Sequence, residues 1–270
     1  MPRRRLSAPA PLPLRPWPPV GPLERGWLGP SPAAPPALWC IDRRTAGVAA
    51  ALPALLPLLS APEQERLQRL RRSDDQERFA LGRGALRQLL AACLDRPAGE
   101  IQLVTNRHGK PLLSPDPTQR MGVPQFNVAH SGDLVLLAFH RCRPVGIDVE
   151  RQRPLPAWPA IARRCFPAAL VAKLEALPAE AGHRAFFHHW CRLEARLKAG
   201  GTGLAAAGQG LANGPAAAAA IDPLDGHDRP TCSNLLLPAG YSGAVALARH
   251  ELTGQGAEGG GKLSAAEASG

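Results

Sequence analysis

Residues 125–150 read QFNVAHSGDLVLLAFHRCRPVGIDVE. Two runs, 125–128 and 134–140, predict strands on either side of a His-Ser-Gly-Asp turn, and 145–150 predicts a third strand. Working outward, residues 101–104 predict a short strand, and Gly109 in NRHGKP predicts a turn where positive φ is easiest. Ser60-Ala61-Pro62-Glu63 has the pattern of a helix start, with Ser as cap and Glu three residues on. One helix is predicted from there to about residue 71 and a second over about 74–93, where Phe79, Leu86, Leu89 and Leu90 recur at helical spacing with Arg78 among them. Leu52 to Leu59 is apolar but interrupted by Pro53 and Pro57, and Ala37-Leu38-Trp39-Cys40-Ile41-Asp42 is strand-like. Later helices are expected over about 158–165, 167–177 and 181–199, and later strands near 233–237 and 244–249. Helices and strands mix without a regular βαβ rhythm, so the fold class is α+β.

The chain has 270 residues, 45% of them hydrophobic and 20% charged, which suits a folded domain with a sizeable core rather than a disordered chain. Pro (30) and Gly (27) are unevenly placed. Residues 1–36 are Pro-rich and predict a disordered leader; residues 251–270 are Gly, Ala, Glu and Ser and predict a disordered tail. The net charge of +10 suits an anionic ligand or an acidic partner without pointing to nucleic acid, because the aromatics do not interleave with the basic residues. Six Cys without a CxxC pair fit reduced thiols in a cytoplasmic protein. No run approaches the roughly 20 apolar residues of a membrane span.

Four sets of residues carry chemistry. On a strand, Asp148 and Glu150 point to one face while Ile147 and Val149 point to the other, which pairs two carboxylates for a hard cation. Glu194 and Lys198, four apart in WCRLEARLKAGGTGL, share a helix face; alone they read as an exposed ion pair, and with Asp148 and Glu150 as a third carboxylate and a cation of one site. His130-Ser131 in a tight turn offers an imidazole and a hydroxyl, to a phosphate or to its own turn. Arg71, Arg72, Arg78 and Lys110 are either solvated charges or phosphate ligands.

In order, RRSDDQERFALGRGALRQLL, GKP, FNVAHSGD, GIDVE and WCRLEARLKAGGTGL resemble the 4′-phosphopantetheinyl transferases of the surfactin-synthetase-activating type, over about residues 37–250. One position departs: Leu193 stands where the family pattern has Lys before the helix Glu. The resemblance implies two similar α+β halves in one chain, 37–144 and 145–250, a pseudo-dimer with its active site in the cleft between them. It implies transfer of phosphopantetheine from coenzyme A to a serine of an acyl or peptidyl carrier protein, releasing 3′,5′-ADP, by a monomer acting without nucleic acid or membrane.

By the same resemblance Asp148, Glu150 and Glu194 bind Mg²⁺ with the coenzyme A pyrophosphate. Arg78 and His130, helped by Arg71 or Arg72, contact the 3′-phosphate region. Lys110 and Pro111 lie near the adenine and its phosphates, and Ser131 near the pyrophosphate. Lys198 neutralises the leaving diphosphate, and Glu194 is the base for the carrier serine. Two rival readings are an Arg-rich nucleic-acid binder and a non-catalytic binder of coenzyme A or carrier protein. Turnover separates the transferase from both.

Overall fold

The computed structural model describes residues 11–19, 23, 27–28, 31, 33–106, 109–115, 123–201 and 231–248. Nine strands and six α-helices are assigned among them. Strands β1 (Arg15–Pro16), β2 (Ala37–Asp42), β5 (Gln125–Ser131) and β6 (Leu134–His140) form one sheet in the order β1-β2-β6-β5. Strands β7 (Val145–Arg151), β8 (Thr231–Asn234) and β9 (Tyr241–Leu247) form a second in the order β7-β9-β8, and β3 (Leu103–Thr105) pairs with β4 (Pro111–Leu113).

The two-residue period of β6, LVLLAFH, explains how the layers stack, because all seven residues are buried. Its odd-numbered residues Val135, Leu137 and Phe139 join Trp39, Ile41 and the helices α1 (Ala46–Leu55) and α3 (Ser73–Leu94) in one core. Its even-numbered residues Leu134, Leu136 and Ala138 meet Val145, Ile147, Val149 and Val245 of the second sheet in another. The opposite face of the second sheet carries Ala244 and Ala246 against Cys191, Ala195 and Ala199 of α6 (Ala179–Ala199). The molecule is therefore layered helix, sheet, sheet, helix. Helices α4 (Trp158–Cys165) and α5 (Ala168–Glu175) pack on the outer side of α6 through Phe166, Leu170, Leu174 and Phe186.

The sheets are stitched along β5 and β7 by side chains. Asn127 Oδ1 accepts the Ile147 N–H at 2.9 Å, and four residues on in each strand Ser131 Oγ accepts the Arg151 N–H at 3.0 Å. Each buried or edge N–H thus finds a partner without a backbone ladder.

The helix starting at Ser60 is α2 (Ala61–Arg69), with Glu63 accepting from both the N–H and the hydroxyl of Ser60. Glu63 also holds Arg87 of α3 in two places, at 2.8 and 2.9 Å, and Arg87, buried, donates to the Ile101 carbonyl at 2.6 Å. Glu63→Ala leaves that guanidinium without its counter-ion in the core. We expect a loss of about 2–3 kcal/mol in urea unfolding, below the range for a fully buried pair because Glu63 keeps some solvent contact.

Two expectations are corrected, and the run from Leu52 to Leu59 gains an assignment. The Pro-interrupted run is helical: α1 spans Ala46–Leu55 with Pro53 inside it, and Pro57 lies in a 3₁₀ turn, Leu56–Leu58. Burial of Val48 and Leu55 against α3 outweighs the lost hydrogen bond. The leader, expected to be disordered over 1–36, is ordered where it is described. Arg15–Pro16 adds a parallel strand to the edge of β2, Leu12 bridges Leu235, and Trp17 and Leu28 are buried. Trp27 stands edge-on to Trp39 and Phe139 at 5.7 and 5.0 Å. Phe79, expected in the apolar stripe of α3, is only half-buried and lines a cleft. The expected tail 251–270 and the Thr202-Gly203-Leu204 stretch lie outside the described residues.

Candidate active site

Gly146 decides how close α6 comes to β7. A methyl group at that position would overlap the Ala195 carbonyl and the Ala199 amide of the helix backbone. With only hydrogen there, α6 lies directly on the strand, and the face of β7 carrying Gly146, Asp148 and Glu150 receives Glu194 and Lys198 from above.

Lys198 Nζ donates to Asp148 Oδ1 at 2.6 Å. The other oxygen, Asp148 Oδ2, is buried without a hydrogen-bond partner, above the Cys191 thiol, which donates to the Ser242 carbonyl at 3.3 Å. Glu150 accepts from Ser131 Oγ at 2.9 Å and lies 3.5 Å from Arg153. Burial raises the Glu150 carboxyl above its usual range, with Asp148 adding to the effect and Ser131 opposing it. Burial also raises Glu194, reinforced by Asp148 and Glu150 and opposed by Lys198. Burial works against the charge of Lys198, but Asp148 and Glu194 more than offset it and hold the ammonium above the ordinary lysine value.

Three carboxylates thus crowd around one ammonium, and two of them, Glu150 and Glu194, are made more basic by burial and by their acidic neighbours. A buried carboxylate oxygen without a donor is the feature a hard cation satisfies, and the all-oxygen set fits Mg²⁺. Among the described residues no group of three or more His, Cys, Asp or Glu side chains is assembled to hold a metal as it stands.

A second constellation borders the first. Arg78 donates to the Gly132 carbonyl at 2.8 Å and pairs with Asp75. It lines a cleft with Arg66, Phe79, Arg83, Gly109, Pro111 and His130. The His130 ring stands at the rim, where desolvation by neighbouring atoms, then Arg78 and Lys198, hold it below ordinary histidine. Arg66 and Arg83 lie 5.4 and 5.5 Å from the Phe79 ring centre. Arg78, Pro111 and His130 are therefore together, and Ser131 joins Glu150 next door. Arg71 and Arg72 are exposed just ahead of α3 and are not among the residues lining the cleft.

Lys110 departs from its expected place. Its neighbours Gly109 and Pro111 line the cleft, whereas its own Nζ donates to the carbonyls of Lys198 at 3.0 Å and Val145 at 3.3 Å. Burial, and then Lys198, pull its pKa down to about 8. Sequence reading missed Arg66 and Arg83. Arg83 is an Arg four residues after Phe79 on an otherwise buried helix face, a legible signal; Arg66 reaches the ring only through the tertiary packing of α2 on α3.

Residues 48–142 match the family model described as 4′-phosphopantetheinyl transferase, N-terminal, and residues 144–236 match that of the 4′-phosphopantetheinyl transferase superfamily. The chain belongs to the 4′-phosphopantetheinyl transferase superfamily. It is 36% identical over 151 residues to the 4′-phosphopantetheinyl transferase HetI of Nostoc, 56% of this chain and 63% of that one. It is 35% identical over 98 residues to the transferase AcpT of Salmonella typhi, 36% of this chain and 48% of the relative. With the L-aminoadipate-semialdehyde dehydrogenase-phosphopantetheinyl transferase of Rattus norvegicus it shares 29% over 148 residues, 53% of this chain and 48% of that one. The chain spans under two thirds of the length of each of these relatives. In this phosphopantetheinyl transferase superfamily member Leu193 is buried against α4 and α5, so the position before Glu194 serves packing.

Proposed function

We propose that the chain transfers 4′-phosphopantetheine from coenzyme A to a serine of an acyl or peptidyl carrier protein, releasing 3′,5′-ADP. The observation that carries this is the Lys198–Asp148 contact of 2.6 Å with Asp148 Oδ2 buried and unpartnered beside Glu150 and Glu194. Anionic phosphates arriving there meet an ammonium already in place, with arginines and an imidazole alongside. Within the superfamily we assign it to the longer, surfactin-synthetase-activating type, because one chain carries both matched segments. In this reading the segments 37–144 and 145–250 are the halves of a pseudo-dimer, coenzyme A lies in the cleft between them, and the protein works as a cytoplasmic monomer. Among the described residues no helix is long and apolar enough to cross a membrane.

The chemistry is an attack of the serine oxygen on the phosphorus that bears the pantetheine. A new P–O bond forms, the diphosphate P–O bond breaks, and the electron pair leaves with 3′,5′-ADP. A serine hydroxyl is a poor nucleophile until a base takes its proton, and Glu194, made more basic by burial and two neighbouring carboxylates, is suited to do so. Lys198 stabilises charge on the departing phosphate. Asp148, Glu150 and Glu194 are the residues that would hold Mg²⁺, which when bound supplies positive charge to the diphosphate. Arg78, His130 and Pro111, with Arg66 and Arg83 of the same cleft, receive the 3′-phosphoadenosine end, while Ser131 orients Glu150 beside the pyrophosphate.

The reading is tested by chromatography of the nucleotide product. Incubated with coenzyme A, Mg²⁺ and an apo carrier protein, the chain is expected to release 3′,5′-ADP in step with carrier consumed, and none when the carrier serine is replaced by alanine or EDTA is added. Nucleotide bound but never released, across fatty-acid, polyketide and peptide carriers, would instead identify a non-catalytic binder.

A further inference from the structure

We propose that Lys110 is a positioning residue that locks the end of α6, rather than a ligand of the nucleotide; its effect on rate rests on the transferase reading above. The 106–110 turn is braced internally, with Asn106 N–H donating to the Lys110 carbonyl at 3.0 Å, Gly109 N–H to the Asn106 carbonyl at 2.9 Å, and Lys110 N–H to Asn106 Oδ1 at 3.0 Å. Gly109 adopts φ +81, which a residue with a Cβ resists, and this sends the Lys110 side chain away from the cleft that Gly109 and Pro111 border.

Its ammonium crosses from the β3–β4 hairpin to the other layer and caps two carbonyls. One is Val145 at the start of β7, and the other is Lys198 in the last turn of α6. The last four carbonyls of a helix lack intrahelical donors, and a cation is favoured there by the helix dipole. Here the Lys198 carbonyl receives the Lys110 ammonium and, at 3.3 Å, the Gly201 N–H.

The same residue, Lys198, sends its side chain to Asp148. Lys110 therefore fixes the backbone of the residue whose ammonium must meet the diphosphate. Gly146 sets how deep α6 lies on the strand; Lys110 sets where its end stops along it. Two backbone carbonyls already take two of the three N–H donors of this ammonium, which holds it toward α6 rather than toward the cleft.

The test compares Lys110→Met and Lys110→Arg with the parent by three readouts: coenzyme A affinity by calorimetry, kcat and KM for carrier modification, and hydrogen exchange of the amides at 198–201. We expect Lys110→Met to keep coenzyme A affinity within about twofold, to lose at least about tenfold in kcat, and to exchange faster at 198–201. Lys110→Arg, which can still reach carbonyls, recovers much of both. A coenzyme A affinity at least tenfold weaker with protection at 198–201 unchanged overturns the proposal in favour of a nucleotide ligand. Parent-like kcat together with parent-like exchange also overturns it. Should the parent show no turnover, the transferase reading fails by itself, while exchange at 198–201 still decides whether Lys110 locks the helix. Lys110→Arg with native thermal stability guards against a loss that comes only from unfolding.

Discussion

Asp148→Asn is expected to lower kcat for carrier modification by on the order of 10²–10³ while coenzyme A is still bound. The substitution keeps shape and keeps an oxygen for Lys198, so the fold should survive. It removes the negative charge that holds Lys198 above the ordinary lysine value and that raises both Glu150 and Glu194. Glu194 becomes a weaker base, and Asp148 Oδ2, buried without a donor, is replaced by an amide NH2 group, which has no lone pair for a hard cation, while the remaining amide oxygen is neutral. Steady-state kinetics at saturating coenzyme A, with circular dichroism to verify folding, measures the effect. A variant within threefold of the parent would remove Asp148 from the site.

Gly146→Ala should fail for a different reason. The added methyl meets backbone atoms of α6, the Ala195 carbonyl and the Ala199 amide, and backbone cannot rotate out of the way as a side chain can. Either α6 lifts from β7 or the strand bends. Overpacking of this kind costs about 3 kcal/mol, at the upper end of the usual range because both partners are rigid. Lifting α6 also withdraws Lys198 from Asp148, so the surviving folded fraction should show little transfer. Denaturant unfolding and kcat per folded molecule separate the two losses. Unchanged stability would mean that the helix does not lie as close as this geometry requires.

Much of the fold was legible because its periods are strong. The all-apolar run of β6, the alternation of β7 and the helical spacing of α3 each predicted an element with the right class. The pairing of Asp148 with Glu150 on one strand face also followed from a two-residue period, and Glu194 with Lys198 from a four-residue one.

What sequence could not supply depended on contacts between distant segments. Pro53 breaks a helix in isolation, yet the burial of Leu55 against α3 keeps α1 intact. The Pro-rich leader carries no strand pattern, and Arg15–Pro16 is ordered because the β2 edge needs a partner. Lys110 is similar: GKP places a cation beside the cleft, but only the meeting of the hairpin with the end of α6 turns it to the Lys198 carbonyl. Gly146 reads as an ordinary strand residue until the helix backbone is seen above it.

Asp148, Glu150, Glu194 and Lys198 are expected to move phosphopantetheine onto a carrier serine. The most direct measurement is intact-protein mass spectrometry of apo carrier proteins incubated with the chain, coenzyme A and Mg²⁺. A gain of one phosphopantetheine, lost with EDTA and with Asp148→Asn, is the predicted result; an unmodified mass on every carrier, with coenzyme A binding still detectable, would contradict it.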